Sequence, residues 1–261
     1  MNESVRKAAD VLSALAEAGR DMSAREISVL TDVPKSTAQR LLQALDERGL
    51  VRQDSESRRY GLGPMTLTLG MAYLDRIDVR DQALPHMMRL RDELDETIAL
   101  AVRAGTARIY VEQVEARSGL KVKAELGRPY PLWAGAAGRV LLAALSRDDI
   151  IRFTVEVGEA AFTHVTPPTV NGLLAQIDEV RRRGYAWAFE ETIRSVHTVA
   201  APIRVSPSDV AVLSVSGPST RFNEDLMEAA TGPLVSAAAA ISASMGYPDP
   251  LPVRDLSPGP S

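Results

Sequence analysis

The stretch VPKSTAQRLLQALDERGLV, from Val33 to Val51, gathers Lys35, Ser36, Thr37, Gln39 and Arg40, with Gln43 a helical turn further on. These side chains donate and accept hydrogen bonds, and no acid lies between Lys35 and Arg40. Arg and Gln forks match base edges in the major groove, while Lys and Ser match phosphate oxygens. Leu41, Leu42, Leu45 and Leu50 recur at helical spacing, so the polar residues stand on the free side of a packed helix. Pro34 suits a helix start, where its missing N–H leaves nothing unpaired. The predicted chemistry is recognition of double-stranded DNA by a helix N-terminus.

A second set lies far along the chain. Trp133-Ala134-Gly135-Ala136 opens a predicted helix, with no Ser, Thr, Asp or Asn at 133 or 134 to cap it. The amides of Gly135 to Ala137 are therefore expected to be open to an anion. Side chains two apart on a strand share a face. Ala188 with Glu190, Thr198 with Ala200, and Ser214 with Ser216 are thus expected to line one side of a sheet. A small carboxylate held by those amides, with polar strand residues around it, makes a coherent pocket. A plainer account also stands: the small residues of AGAAG let a helix pack closely on the sheet, and the paired hydroxyls satisfy each other.

Both sets need elements to position them. Ser4–Ala18 has one apolar helical face and stops at Gly19. Ser23 and Glu26 form a capping box for a helix that turns Ile27 and Leu30 inward and ends near Thr31-Asp32. The helix after Pro34 runs to Gly49 as its C-cap. Leu50–Arg52 and Arg59–Leu62 read as short strands around a polar turn, 54–58, where Arg58 and Arg59 can reach DNA backbone or minor groove. Three helices and a hairpin make a winged helix-turn-helix. Residues 1–62 hold ten basic and ten acidic residues, so charge alone does not exclude a helical hairpin with a solvated face; the placement of the charges argues for DNA.

The rest of the chain bounds the possibilities. It has 261 residues, net charge −4 and no cysteine, which excludes disulfides, thiol nucleophiles and thiolate metal sites and fits a reducing cytoplasm. His86, His164 and His197 have no ligand spacing, so neither a metal nor a cofactor is expected. Residues 1–10 hold no signal-peptide core, and the alanine-rich Ser236–Ser244 is too short for a membrane span. With a mildly acidic chain, any nucleic-acid site is local. Pro64–Arg76 reads as an apolar connecting helix with a second copy of itself as its natural cover, and Val79–Leu94 as another helix, with Leu84, Met88 and Leu90 apolar and Pro85 as start or kink. Thr97–Val102, Arg108–Val114 and Leu120–Leu126 read as a meander. Then come a helix to Leu145, a short one capped at Ser146, and another over Val170–Arg183 closed by Gly184. Strands follow at Tyr185–Glu190, Thr198–Val205 and Val210–Ser216, with a turn at 206–209, and then a helix from Asn223 to Met245. The Arg181–Arg183 run reads as cations at a helix C-terminus. The divisions are 1–63, a linker helix 64–80, a sheet domain 81–246 and a disordered Pro/Ser-rich tail 247–261.

PKSTAQRLLQALDERGLV, RRYGLG, PLWAGAAGRVLLA, RRRGYAWAFEE, HTVAAPI and VLSVSGPSTRF stand in an order and spacing that resemble the IclR family of bacterial transcription regulators. The resemblance implies an α+β chain: a winged helix-turn-helix, a linker helix, and a GAF-like domain whose antiparallel sheet binds a small effector. It implies homodimers, often paired into tetramers, and an operator affinity set by the effector. Small-2-oxo-acid sensors of the family carry an acid where Ala188 aligns and a cysteine where Thr198 aligns. With Trp133 and Phe189 adding aromatic surface, the expected effector is a bulkier carboxylate or an aromatic compound. Two rivals remain. One is a DNA-binding architectural protein without a ligand. The other is a hydrolase using Ser214 or Ser216 with His197, against which stands the lack of any nucleophile-elbow motif around either serine.

Overall fold

The computed structural model describes residues 2–74, 77–117, 119–156, 169–206 and 209–248. His164, Pro207, Ser208 and residues 249–261 lie outside the described residues, and with them part of the turn and most of the tail read from the sequence. The chain divides into two compact units, Met1–Ile77 and Asp78–Ser261.

The first unit contains α1 (Glu3–Ala18), α2 (Ala24–Thr31), α3 (Lys35–Asp46), β1 (Val51–Gln53), β2 (Tyr60–Leu62) and α4 (Pro64–Leu74). Gly19, at φ +60°, ends α1, and the Ser23–Glu26 capping box starts α2. Val11, Leu15, Met22, Ile27, Leu42, Val51 and Tyr60 share one core. Met22 ties the helices to the wing, exchanging two backbone hydrogen bonds with Tyr60 at 2.8 and 2.7 Å. Two expectations need correction. Leu30 points outward, because α2 has only eight residues and buries Ile27 alone. α3 closes at Asp46, while Gly49 (φ +67°) sits in the following turn, where its carbonyl accepts the Met65 amide. No residue of α4 is buried: Met65, Leu67, Leu69, Met71 and Tyr73 are 42–69 % exposed.

The second unit contains α5 (Asp78–Leu94), β3 (Thr97–Ala104), β4 (Ala107–Val114), β5 (Pro129–Pro131), α6 (Gly135–Ala143), α7 (Arg147–Glu156), α8 (Val170–Arg183), β6 (Ala186–Phe189), β7 (Val196–Arg204), β8 (Val210–Pro218) and α9 (Glu224–Ser244). The strands form one antiparallel sheet in the order β5-β4-β3-β8-β7-β6. Ala101, Ala186, Ala188, Ala200 and Val212 pack with α6 and α8 in one core. α5 and α9 pack on each other and on the sheet.

Leu120–Leu126 is not a strand. Side chains meet two of its backbone groups: Thr97 Oγ1 donates to the Val122 carbonyl at 2.7 Å, and the Ala124 amide donates to Gln113 Oε1 at 2.9 Å, while Leu126 makes a single bridge with Tyr110. The place beside β4 is taken by β5. α5 buries Val79, Ala83, Met87 and Leu90 and runs through Pro85, so Leu84 and Met88 face outward. α9 is longer than the alanine-rich stretch within it. By length and composition it is the one described helix apolar enough to cross a membrane, yet it buries Met227, Leu234, Ala238 and Ile241 and packs on β7 and β8. Arg181 donates to the carbonyls of Ala143 and Leu145, and Arg182 and Arg183 pair with Glu179, so the arginine run is structural. Tyr247, placed in the tail by sequence, holds Arg204 5.2 Å from its ring.

Candidate nucleic-acid interface and ligand pocket

Pro34 is the N-cap of α3 and supplies no capping side chain; the first amide it satisfies is that of Ala38, through its carbonyl. The amides of the first turn therefore face outward without a protein cap. Ala38 and Leu42 bury the opposite side. Lys35, Ser36, Gln39, Arg40 and Gln43 are exposed and Thr37 is half-buried. Gln43 reaches Glu47 at 3.5 Å. Among the described residues no acid pairs with Lys35 or Arg40, whereas Arg20, Arg52 and Arg59 are all paired.

In the wing, Asp54 accepts the amide and hydroxyl of Ser57, both at 2.7 Å, which holds its carboxyl below the usual range. Arg58 is exposed at φ +57°. Arg59 is turned back: it donates to the Asp21 carbonyl at 2.9 Å and pairs with Glu26 at 3.2 Å. Glu26 is lowered to about 2 by the Ser23 amide and hydroxyl, by Arg20 and by Arg59. Of Arg58 and Arg59, Arg58 is the one whose side chain faces solvent.

In the second unit, the face of the sheet that carries Thr97, Ala99, Thr198 and Ser216 opens into a small cavity walled by Tyr110 and Tyr130. Thr198 and Ser216 hydroxyls meet at 2.9 Å, and burial pushes the Tyr130 phenol up. Among the described residues no three His, Cys, Asp or Glu are grouped to hold a metal.

The structure separates the sequence-derived pocket residues. Thr198 and Ser216 line the cavity. Ser214 is buried on the same face but donates to the Ala99 carbonyl at 3.3 Å. Trp133, Ala134, Ala136 and Ala188 belong to the core under α6 and do not line the cavity. Glu190 leaves the sheet: β6 ends at Phe189, Glu190 takes φ +55°, and its carboxylate accepts the Ser195 amide at 2.9 Å. The start of α6 is not open to a ligand as expected. Glu191 accepts the Gly135 amide at 2.9 Å and pairs with Arg139 at 2.6 and 2.9 Å. Gly138 is required because a Cβ there would meet the Leu132 carbonyl at 2.2 Å, so close packing does account for part of AGAAG. His197 bonds the Phe222 carbonyl at 2.8 Å, and both serine hydroxyls are engaged elsewhere.

Sequence reasoning missed Thr97, Tyr110 and Tyr130, and the buried Arg108 beside the two tyrosines. Strand periodicity places Arg108 and Tyr110 on one face of β4, but nothing in the sequence shows that β4 borders the cavity. The pairing of Arg108 with Tyr130 comes from the short β5, which has no strand signal of its own.

The description "IclR helix-turn-helix domain" matches residues 4–55, and "Bacterial transcriptional regulator IclR C-terminal" matches residues 71–243. The chain is 33 % identical over 223 residues to the HTH-type transcriptional regulator KipR of Bacillus subtilis, covering 85 % of this chain and 89 % of KipR. It is 33 % identical over 216 residues to the HTH-type transcriptional repressor AllR of Escherichia coli, covering 82 % and 80 %. An IclR transcriptional regulator from Alicyclobacillus acidocaldarius superposes with a TM-score of 0.80 at 29 % identity, over 94 % of this chain and 100 % of that one. These relatives are regulators and repressors, and the chain is not an enzyme. A winged helix with an unpaired basic helix start, joined in sequence to a sheet domain matched over nearly all its length, places the chain in the IclR family of bacterial DNA-binding transcriptional regulators.

Proposed function

We propose that this regulator reads a double-stranded operator through Lys35, Ser36, Thr37, Gln39, Arg40 and Gln43 on α3, with Arg58 on the wing, and that a small organic effector sets its operator affinity. The effector is a carboxylate or aromatic metabolite bound against Thr198 and Ser216. The observation that carries this reading is the cleft over Thr97, Thr198 and Ser216, walled by Tyr110 and Tyr130, in the unit that does not hold the winged helix. Its mix of aromatic wall and hydroxyls suits a small ligand, and a purely architectural DNA-binding protein has no use for it. The protein works in the cytoplasm, where its operator is, as a homodimer or a dimer of dimers. A single winged helix buries too little surface for a specific site, and α4 presents an apolar surface that its own unit leaves uncovered.

The coupling is a difference in effector affinity between the free and operator-bound protein, typically 1–3 kcal/mol. A titration of labelled operator in the presence of carboxylates and aromatics tests it. A shift of operator affinity by a compound that also raises the melting temperature supports the reading. Operator affinity indifferent to every compound that binds favours the architectural alternative.

A further inference from the structure

An unbroken series of polar contacts runs from the cavity wall to the start of α5. Val122 and Ala124, on the strap 119–126, line the cavity. The Ala124 amide donates to Gln113 Oε1 at 2.9 Å. The Gln113 amide donates to Glu112 Oε1 at 2.9 Å. The other carboxylate oxygen, Glu112 Oε2, pairs with Arg80 Nη2 at 2.7 Å. Arg80 stands in the first turn of α5, which opens at Asp78, the residue where the second unit begins.

The contacts cross the sheet in one backbone step, because neighbouring strand residues point to opposite faces. Gln113 stands opposite Ala99, which lines the cavity, and Glu112 stands opposite Leu100. Glu112 thus turns to the other face, where it meets α5, which packs on β3 and β4. Beside this step the register slips: Leu100 pairs with Glu112 but Ala101 pairs with Tyr110, so Val111 is an extra residue. A β-bulge of this kind disrupts the ladder locally and bends the strand. It lies between Tyr110, a wall of the cavity, and Glu112, the partner of α5. The strap itself belongs to no named strand and hangs in part on the side chains of Thr97 and Gln113.

Exposed ion pairs contribute little, but this one is partly enclosed. The Glu112 side chain is 15 % exposed, and Arg80 Nε is buried without a hydrogen-bond partner. Among the described residues Glu112 is the one acid that pairs with Arg80. Moving Glu112 therefore strips a half-covered guanidinium of its counter-ion, so the first turn of α5 keeps its place only while Glu112 keeps its own.

We infer that Glu112 and Arg80 couple the strap over the cavity to the start of α5, so that the state of the cavity is read at the first residues of the second unit. Both are positioning residues, and neither lines the cavity. While the strap sits on Gln113, β4 holds Glu112 against Arg80. When the strap lifts, the bulged part of β4 relaxes and the ion pair loosens with it. This rests on the effector reading above and says how that site reports towards the part of the chain that carries the winged helix. Such coupling is reciprocal: what loosens one end loosens the other.

The test needs no ligand and uses the full-length protein. Amide hydrogen exchange is followed by mass spectrometry at 119–126, at 78–84 and, as a reference, in α8. Gln113→Met removes the acceptor of the Ala124 amide and keeps the backbone amide that serves Glu112. Glu112→Gln keeps the shape and removes the charge, and Arg80→Met removes the charge at the far end. The expected result is faster exchange at the remote end: at 78–84 in Gln113→Met, and at 119–126 in Glu112→Gln and Arg80→Met. Each rise is about fivefold or more, the lower end of ordinary allosteric coupling, with α8 unchanged. Arg80→Lys, which keeps the ion pair, should return 119–126 towards the parental rate. Variants that loosen only their own end overturn the coupling and leave the effector reading standing. That reading is decided by the operator titration above, whose failure leaves the exchange coupling intact. A strap that exchanges as fast in Arg80→Lys as in Arg80→Met overturns the ion pair as the carrier. If Arg80→Met also speeds exchange in α8, the packing of α5 is lost as a whole, and Glu112→Gln with Gln113→Met decides.

Discussion

Glu191 accepts the backbone amide of Gly135 at 2.9 Å while its two oxygens pair with Arg139, so the start of α6 carries its own internal carboxylate. The position where an uncapped helix would invite a ligand anion is filled from the turn after β6. This relationship holds α6 to the edge of the sheet and determines which residues remain for an effector.

Glu191→Gln keeps an acceptor for the Gly135 amide but leaves the Arg139 charge without a partner. The Arg139 side chain is 6 % exposed and that of Glu191 17 %. Breaking a buried pair from one side costs about 3–5 kcal/mol. Chemical denaturation followed in the second unit should show a loss of that order; a change within about 0.5 kcal/mol would mean that the pair is solvated and contributes little.

The two wing arginines and Arg40 should behave differently in operator binding. Arg40→Ala is expected to weaken specific binding by about 1–3 kcal/mol and to relax preference at one base position. Arg58→Ala should weaken binding to all sequences alike and lower the salt dependence by about one counter-ion. Arg59→Ala should act first on the first unit's stability, since Arg59 holds Glu26 and the Asp21 carbonyl. Fluorescence anisotropy across several salt concentrations separates the three. Equal losses for Arg58 and Arg59 would contradict the inward position of Arg59.

The Glu26 carboxyl, lowered from 4.5 to about 2, gives the first unit an acid sensitivity of known sign. Its stabilisation is fully present above pH 4.5 and is lost as pH falls towards about 2, because protonation removes the acceptor for the Ser23 amide. A carboxyl titration by NMR should place Glu26 well below the ordinary glutamate value of 4.5, and Ser23→Ala should bring it back towards 4.5. A midpoint for Glu26 near 4.5 in the parent would remove the effect.

Three glycines test backbone necessity. At Gly138 an added Cβ meets the Leu132 carbonyl at 2.2 Å, so Gly138→Ala should destabilise by about 1–3 kcal/mol. Gly232 lies on the exposed side of α9 with no non-neighbouring atom within 4 Å of its Cβ position, but it precedes Pro233 in the helix, so crowding of the new Cβ by the proline ring offsets the helix-propensity gain of Gly232→Ala. Gly135→Val is strained by φ +77° and by Thr192 at 3.1 Å, so it perturbs the fold and does not act as a clean block of ligand approach. Thermal melts should show a clear loss for Gly138→Ala and little change for Gly232→Ala.

Assembly is the last expectation. The parent should be a dimer or larger by light scattering at micromolar concentration. Two linked winged helices should protect half-sites about 10 bp apart or a multiple of that. Leu67→Glu together with Met71→Glu places charge on the exposed apolar surface of α4 and should shift the chain towards monomer. A parent that is monomeric at that concentration would overturn the dimer, and a double variant that remains a dimer would move the interface away from α4.

What the sequence determined by itself is local. The Ser23–Glu26 box, the Pro34 helix start, Gly19 and Gly184 as stops and the apolar spacing of Val11, Leu15 and Leu42 act within a turn or two of chain, where side-chain and backbone chemistry decide the outcome. The exposed basic start of α3 follows from the same periodicity. The strand alternation of Thr198 with Ala200 and of Ser214 with Ser216 was also legible. It could not tell that one hydroxyl of the second pair meets the cavity while the other meets the Ala99 carbonyl, since that depends on which part of the face α6 covers. Tertiary structure alone brought Glu191 to Gly135 across 56 positions, Arg59 to Asp21 across 38 and Arg108 to Ala134 across 26. Long charged side chains choose among partners that only the folded chain brings within reach. That choice turned Arg59 back onto Glu26 and the Asp21 carbonyl, filled the helix start with Glu191, and left Arg108 buried against the carbonyls of Pro131 and Ala134.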